Sequence, residues 1–164
     1  LGDSYLGLKV LKKKIKINKK LGNYFIKKYY YIDLNMKFAH KLLSLANTSI
    51  DVSDGLFTDL DKLINKQKLS YRLYLKDVPI SHNLKKLIDL KLLKKVDCIS
   101  KGDDYQILFT AKPSKSNIIK KIGKTLGVKI SKIGKICSPS YPSEIIDEKK
   151  AKIIPKNKGY YHTF

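Results

Sequence analysis

The sequence has no apolar run long enough to cross a membrane, because lysine interrupts each of its longer apolar stretches. A transmembrane helix needs about 20 mostly apolar residues. No segment has the features of a secretory signal peptide. We therefore expect a cytoplasmic protein without a membrane partner. The chain starts at Leu1 and its only methionine is Met36, so we expect a fragment or the downstream part of a longer polypeptide.

Cysteine is scarce. Cys98 and Cys137 are the only two cysteines, and neither lies in a CxxC pattern or at ligand spacing from a histidine. This spacing gives no support to a structural zinc site. One disulfide stays open as an alternative, but two reduced, partly buried thiols are the expectation for a cytosolic protein.

Arginine is nearly absent from a strongly basic chain. The formal net charge is +21, yet Arg72 is the only arginine among 35 basic residues. Arginine is the usual choice for bidentate contacts to phosphate and guanine. The lysines are spread along the chain, which is typical of solvated faces. We therefore expect no specific nucleic-acid partner, although weak, salt-sensitive adhesion to polyanions stays open.

Signals for a protein nucleophile or base are also missing. Ser53 has no Gly-x-Ser-x-Gly around it, which disfavours a hydrolase nucleophile. His40 and His82 have no nearby Cys, Glu or second His at ligand spacing. No catalytic nucleophile or general base is predicted.

What the chain does have is a compact acidic motif at residues 51–55, which we call the first acidic turn. Asp51, Ser53, Asp54 and Gly55 follow a short apolar stretch and precede an amphipathic run. Mg²⁺ typically takes one or two carboxylates together with substrate phosphates, so the motif predicts a metal–phosphate site. The alternative is plain helix capping, because Ser, Asp and Asp-Gly are common at helix starts and turns. An EF-hand calcium loop is excluded, since the twelfth position is Lys62 instead of Glu.

Helical and strand patterns alternate along the 164 residues, a length that suits one domain. Residues 100–105, with Asp103, form a second acidic turn before an apolar strand pattern. The sequence predicts an α/β (α+β) fold in which helices cover a mixed β-sheet, with both acidic turns at one rim. The predicted helices are 36–47, 55–66, 82–93 and 114–126, and the predicted strands are 49–52, 71–75, 106–111 and 128–136.

Several motifs in order resemble the C-terminal half of the thiamine-monophosphate kinase family, within the superfamily of aminoimidazole ribonucleotide synthetase and selenophosphate synthetase. The family pattern Ile-Asp-Val-Ser-Asp-Gly-Leu falls at residues 50–56 and its Gly-Glu-Asp-Tyr-Glu-Leu-Leu-Phe block at 102–109. Its Asp-Leu, its Pro-Leu/Ile-Ser turn and its Ile-Gly-Lys/Arg-Ile strand match residues 59–60, 79–81 and 133–136. Order and spacing hold over roughly residues 34–136.

The resemblance implies an enzyme that transfers the γ-phosphoryl group of ATP to thiamine monophosphate, giving thiamine diphosphate. By resemblance, Asp51 and Asp54 bind Mg²⁺, and Ser53 contacts the nucleotide. Asp103 contacts the substrate and Phe164 packs on its ring. The expected cofactor is Mg²⁺, with ATP as co-substrate. The chain departs from the family at Lys101, Asp103 and Gln106, where the family has Gly, Glu and Glu.

The resemblance also implies that the family's other half carries most Mg²⁺-binding acids, a phosphate-binding Gly-Asp turn and the dimer interface. Residues 1–33 are then expected to connect to a missing N-terminal ATP- and Mg²⁺-binding domain, and residues 34–164 to form the substrate-side domain. The expected partners are this N-terminal half and a second copy in a complete homodimer, and the chain alone is expected to be inactive.

Three other functions stay open on the residues alone. The chain could belong to another ATP-using enzyme of the superfamily, because the Asp-x-Ser-Asp turn is not confined to one substrate. It could be a non-catalytic remnant, given the altered pocket residues. It could also be a basic polyanion-binding module in which the acidic residues only cap helices.

Overall fold

The computed structural model describes residues 1–64 and 68–160, and within them the chain forms seven α-helices and six β-strands. The helices are α1 (Asp3–Leu11), α2 (Lys19–Tyr30), α3 (Met36–Leu45), α4 (Leu56–Leu63), α5 (His82–Asp89), α6 (Lys95–Ile99) and α7 (Ser116–Leu126). The strands are β1 (Thr48–Asp51), β2 (Ser70–Tyr74), β3 (Ile107–Thr110), β4 (Gly134–Cys137), β5 (Glu144–Ile146) and β6 (Lys152–Ile153).

The described strands form two sheets. β1 and β3 make an antiparallel pair, with Thr48 opposite Thr110 and Asp51 opposite Ile107. The other sheet has the order β4-β2-β5-β6 and is mixed, because β2 runs antiparallel to β4 and parallel to β5. The predicted α/β class with a mixed sheet and covering helices is confirmed. The strands next to the two acidic turns, however, form their own two-stranded sheet.

Strand β3 connects two hydrophobic clusters because its side chains alternate between its two faces. Leu108 packs in the cluster that α4 forms with β2 and β5, in which Phe57 is fully buried. Ile107 and Phe109 face the other cluster, built on α3 and α7. The small sheet is therefore covered on both faces, which is what a two-stranded sheet needs for stability.

The segment expected to be a connector is folded against the rest of the chain. Leu6 of α1 and Phe25 of α2 are fully buried and pack with Leu84 and Leu87 of α5. The two helices approach closely at Gly7, where a Cβ would lie 2.2 Å from the backbone oxygen of Phe25. The boundary between residues 1–33 and 34–164 stays a prediction.

Helix ends differ from the predicted ones for local reasons. Helix α3 stops at Leu45 because Ala46 is already extended, with ψ of 146°, and the N–H of Asn47 donates to the oxygen of Thr110. Helix α5 starts as predicted, with the Ser81 side chain accepting from the N–H of Leu84. The predicted helix 55–66 runs into residues 65 and 66, which lie outside the described residues.

The predicted strand 128–136 is wrong over its first part, since only Gly134–Cys137 is a strand. Gly127 ends α7 in the left-handed region (φ 66°), and the N–H of Val128 donates back to the oxygen of Gly123. Val128 and Ile130 then pack against α3 and α7. Their apolar character therefore reflects helix packing. Helix α6 and strands β5 and β6 were not predicted, because each is too short to show a period.

No helix in the described part of the chain is long and apolar enough to span a membrane. Both cysteines are free thiols, with Cys98 buried and Cys137 partly exposed.

Beyond the β1–β3 pair, the two acidic turns continue the backbone pairing. The N–H of Val52 donates to the Gln106 oxygen at 2.9 Å, and the N–H of Tyr105 donates to the Val52 oxygen at 2.8 Å. The N–H of Asp103 donates to the Ser53 oxygen at 2.9 Å. Two glycines allow this approach. A Cβ on Gly102 would lie 1.7 Å from the Ser53 oxygen, and one on Gly55 would lie 2.2 Å from the Ser100 oxygen.

We predict that Gly102→Ala lowers the free energy of unfolding by about 2 kcal/mol or more, because the new methyl group must push two backbones apart. Urea denaturation measures this change. The matched control is Gly22→Ala in α2, where the Cβ would meet only Val10 Cγ1 at 3.5 Å. The control should be neutral or stabilising by about 0.5–1 kcal/mol. Equal effects of the two substitutions would contradict the proposed tight contact.

Candidate active site at the two acidic turns

The first acidic turn places its polar groups at different depths. Asp51 ends β1 with an exposed side chain, Ser53 is partly exposed, and Asp54 is buried. Gly55 then precedes α4 as its N-cap residue, with φ of 122°, a conformation that favours glycine. The turn therefore presents Asp51 to solvent and holds Asp54 beneath it.

A fully buried carboxylate, Asp59, organises this turn from within α4. Its Oδ2 accepts from the N–H groups of Asp54 and Gly55, at 2.9 and 3.1 Å. These bonds satisfy donors that a helix start leaves unpaired, and the negative charge suits the positive end of the helix. Lys62 donates to Asp59 Oδ1 at 3.2 Å and also to the Asp54 carboxylate. The ion pair with Asp54, followed by that with Asp59, raises the pKa of Lys62.

The second acidic turn has two non-glycine residues in the left-handed region, Asp103 (φ 68°) and Tyr105 (φ 48°). Such conformations cost energy and persist where the surroundings hold them. Here the surroundings are the first turn, because both residues donate their N–H groups to it. The backbone of Asp103 is thereby joined directly to that of Ser53.

Asp104 points away from this contact and binds the start of α1. Its two oxygens accept from the Gly2 N–H at 3.0 and 2.7 Å, and its side chain is buried. Burial raises the pKa of the Asp104 carboxyl to about 6, against the lowering effects of the Leu1 ammonium and the Gly2 hydrogen bonds.

Residues 158–160 lie across the first acidic turn. The N–H of Tyr160 donates to the Asp54 oxygen at 2.9 Å, and the N–H of Thr58 donates to the Lys158 oxygen at 3.2 Å. Gly159 is required at this contact, since a Cβ there would lie 2.3 Å from Thr58 Oγ1. Phe164, predicted to pack on a substrate ring, lies outside the described residues.

A small cavity of about 110 Å³ opens beside the second turn, between it and the ends of α1 and α2. Asp104, Gln106, Lys28, Tyr31 and Asp33 are among its lining residues. A wider groove of about 420 Å³ lies on the four-stranded sheet, around Arg72 and Tyr141. None of its lining residues belongs to either acidic turn, so size alone does not mark the candidate site.

The first acidic turn supplies some of the ligands that a hard cation such as Mg²⁺ needs. Asp54 already holds a cation, the Lys62 ammonium, and Asp51 offers an exposed carboxylate on the same turn. The described residues contain no cluster of three or more His, Cys, Asp or Glu side chains that could hold a metal ion. Two carboxylates match the one or two that Mg²⁺ uses beside phosphate oxygens.

The structure thus brings Asp51, Ser53, Asp54 and Asp103 onto two turns in direct contact. Sequence reasoning gave no role to Asp59, Lys62 or Asp104. The position of Asp59, four residues after the turn glycine at a helix start, was a signal for capping. The pairing of Lys62 with Asp54 and of Asp104 with Gly2 depends on tertiary contacts and has no local signal.

We predict that the Asp104 carboxyl contributes a loss of stability as pH rises through the acid range. Its folded pKa of about 6 exceeds the ordinary 3.8. The native state therefore binds this proton more readily than the unfolded state, and the free energy of unfolding falls as pH rises from about 4 to 6. Asp104→Asn should remove a decline on the order of 2 kcal/mol across this window. Denaturation at pH 4, 5, 6 and 7 measures it.

The matched control is Asp103→Asn on the same turn, since asparagine also tolerates the left-handed region. This variant should keep the wild-type decline. If Asp104→Asn and wild type follow parallel curves between pH 4 and 6, the buried carboxyl does not titrate as stated.

Comparison with known proteins identifies relatives of the whole chain. Thiamine-monophosphate kinase of Buchnera aphidicola subsp. Acyrthosiphon pisum is 35% identical over 165 residues, covering 99% of this chain and 50% of the relative. That of Escherichia coli K12 is 30% identical over 110 residues, covering 66% of this chain and 34% of the relative. No protein-family model matches the chain.

Solved structures show the same fold. Thiamine-monophosphate kinase from Stenotrophomonas maltophilia K279a aligns with a TM-score of 0.75 at 21% identity, covering 92% of this chain and 48% of that one. AaThiL complexed with AMPPCP and TMP aligns with a TM-score of 0.75 at 22% identity, covering 98% and 48%.

The chain spans about half the length of the Buchnera relatives that it matches along 99% of its own residues. The order of the motifs, the fold and this sequence identity agree. The chain belongs to the thiamine-monophosphate kinase family.

Proposed function

We propose that this chain is the C-terminal, substrate-side part of an enzyme that transfers the γ-phosphoryl group of ATP to thiamine monophosphate. One observation carries the proposal: the two acidic turns, about 50 residues apart in sequence, are hydrogen-bonded to each other in a chain 35% identical to a thiamine-monophosphate kinase. A related fold, AaThiL, is complexed with AMPPCP and TMP.

The proposal gives each polar residue of the two acidic turns a separate role. Asp51 and Asp54 hold Mg²⁺, which supplies positive charge at the phosphates when bound. Ser53, whose backbone is fixed by Asp103, contacts the nucleotide. Asp103 contacts thiamine monophosphate, and Phe164 packs on its ring. No residue acts as nucleophile or base.

Phosphoryl transfer depends on positioning and electrostatic stabilisation more than on covalent chemistry by the protein. The contribution of this chain is therefore to hold two substrate-binding turns at a fixed separation. The Ser53–Asp103 hydrogen bond and the glycine contacts prevent the turns from sliding past each other. The buried Asp59 keeps the first turn folded by binding its N–H groups.

The complete enzyme needs further residues. In this proposal an N-terminal half supplies the remaining metal ligands and a phosphate-binding turn, and two complete copies form a homodimer. A cytoplasmic location agrees with the two free thiols. Residues 1–33 join the halves in this proposal, and their packing against α5 ties this segment to the rest of the chain.

We predict that the 164-residue chain alone shows no measurable ATP-dependent phosphorylation of thiamine monophosphate. Two carboxylates on one turn cannot by themselves neutralise the phosphates of ATP. The measurement is formation of thiamine diphosphate, with and without the N-terminal half of a thiamine-monophosphate kinase added. Robust turnover by the chain alone would refute the half-site proposal.

With the N-terminal half supplied, we predict that Asp51→Asn lowers kcat by about a hundredfold, or on the order of 3 kcal/mol, because the amide keeps the shape and loses the charge that holds the metal. Stability should hardly change, because Asp51 is exposed. Steady-state kinetics and thermal denaturation measure the two effects.

The control neutralises surface lysines, for example Lys85→Met together with Lys120→Met, and should leave kcat within about twofold, as for solvated charges. The metal assignment fails if the lysine changes abolish turnover while Asp51→Asn is near neutral. The acidic residues would then serve as caps.

A further inference from the structure

The Lys62 side chain occupies the cation position of the first acidic turn. Lys62 lies in the last turn of α4, and helix side chains lean toward the helix N-terminus. Its ammonium therefore reaches back over the helix start, where it donates to the Asp54 carboxylate and to Asp59. Its place on the helix is fixed by the backbone, so the contact is a property of the fold.

The two carboxylates that hold Lys62 are not equivalent. Asp59 is 1% exposed and uses its other oxygen for two backbone N–H groups of the turn. Releasing Asp59 would leave these two N–H groups without this acceptor. The Asp54 side chain is 13% exposed and therefore lies nearer to solvent than that of Asp59. Asp54 is therefore the carboxylate that can exchange one cation for another.

The Lys62 ammonium can move away from the Asp54 carboxylate into solvent. The Lys62 side chain is 44% exposed, and lysine carries its charge on a flexible four-carbon stem that water solvates well. An ammonium is also a point charge without a fixed coordination geometry, unlike a hard divalent cation. Lys62 is therefore suited to act as a weak counter-ion of Asp54 that a divalent cation from solution displaces.

We propose that Lys62 is the resident cation of the first acidic turn: it holds Asp54 when no metal is bound and competes with the divalent cation for that carboxylate. This inference rests on the proposed metal role of Asp54. Lys62 thereby lowers the divalent-cation affinity of the turn and makes the folded turn independent of the metal. It is a positioning residue, since it acts on the site through Asp54.

Lys62→Met tests the proposal in the full 164-residue chain with Mn²⁺ as the probe. The variant should bind Mn²⁺ about twofold to fivefold more tightly than wild type, because one partly exposed ion pair no longer competes. The decrease of the free-Mn²⁺ electron paramagnetic resonance signal on titration gives the dissociation constant. Mg²⁺ should also raise the Tm of Lys62→Met more than that of wild type, because the metal restores a lost partner.

Three variants make the result specific. Lys62→Arg keeps a permanent positive charge and should retain wild-type Mn²⁺ affinity. The double variant Lys62→Met with Asp54→Asn should lose the gain. Lys85→Met, which removes an exposed lysine paired with Asp89 at 3.8 Å in α5, should change nothing. If methionine prevents folding, as circular dichroism would show, Lys62→Gln replaces it.

Two outcomes overturn the proposal. One is unchanged Mn²⁺ affinity in Lys62→Met while Asp54→Asn weakens binding, which leaves the metal role of Asp54 standing but removes competition by Lys62. The other is no Mn²⁺ binding by any variant, which shows that the turn alone does not take a divalent cation. Neither outcome decides whether the complete enzyme phosphorylates thiamine monophosphate, which the kinetics of Asp51→Asn test separately.

Discussion

The contact between the backbones of the two acidic turns is the constraint on which the remaining structure depends. The N–H of Asp103 reaches the Ser53 oxygen only because Gly102 has no side chain, and Gly55 allows the reciprocal approach to Ser100. The β1–β3 pair leads into this contact, and the helices on both faces of that pair keep the strands in register. The same contact supports the left-handed backbone at Tyr105, whose N–H donates to the Val52 oxygen.

The acidic residues divide into two groups by what their oxygens do. Asp59 and Asp104 are buried and bind backbone N–H groups, so their charge is used to hold a helix start and the beginning of α1. Asp51 and Asp103 lie nearer to solvent, where a ligand can reach them. Asp54 shares features of both groups. It is buried, but it is paired with the partly exposed Lys62 side chain, which can move away. Burial of a carboxylate is tolerated when hydrogen bonds satisfy it, which is the case for both buried structural acids.

Prediction from sequence succeeded where a pattern is long or a motif carries its own chemistry. Helix α3, at Met36–Leu45, lies within the predicted helix 36–47, and the acidic turn was placed correctly between β1 and α4. It failed where tertiary packing overrides local pattern, as at Val128, whose apolar side chain covers helices instead of joining a strand. Short strands such as β5 have no period to detect. Pairings such as Lys62 with Asp54 depend on how a helix is oriented after folding, and a single sequence does not encode that in any local form.

The crossing of residues 158–160 over the first acidic turn joins parts of the chain that are far apart in sequence. Lys158 and Asp61, joined at 3.2 Å, are 97 residues apart in sequence. Closing such a long loop costs conformational entropy, so we expect this contact to form late in folding. The Tyr160 and Thr58 N–H groups are bound reciprocally across the crossing, and one opening motion exposes both. We therefore expect residues 158–160 and the start of α4 to open together in local unfolding.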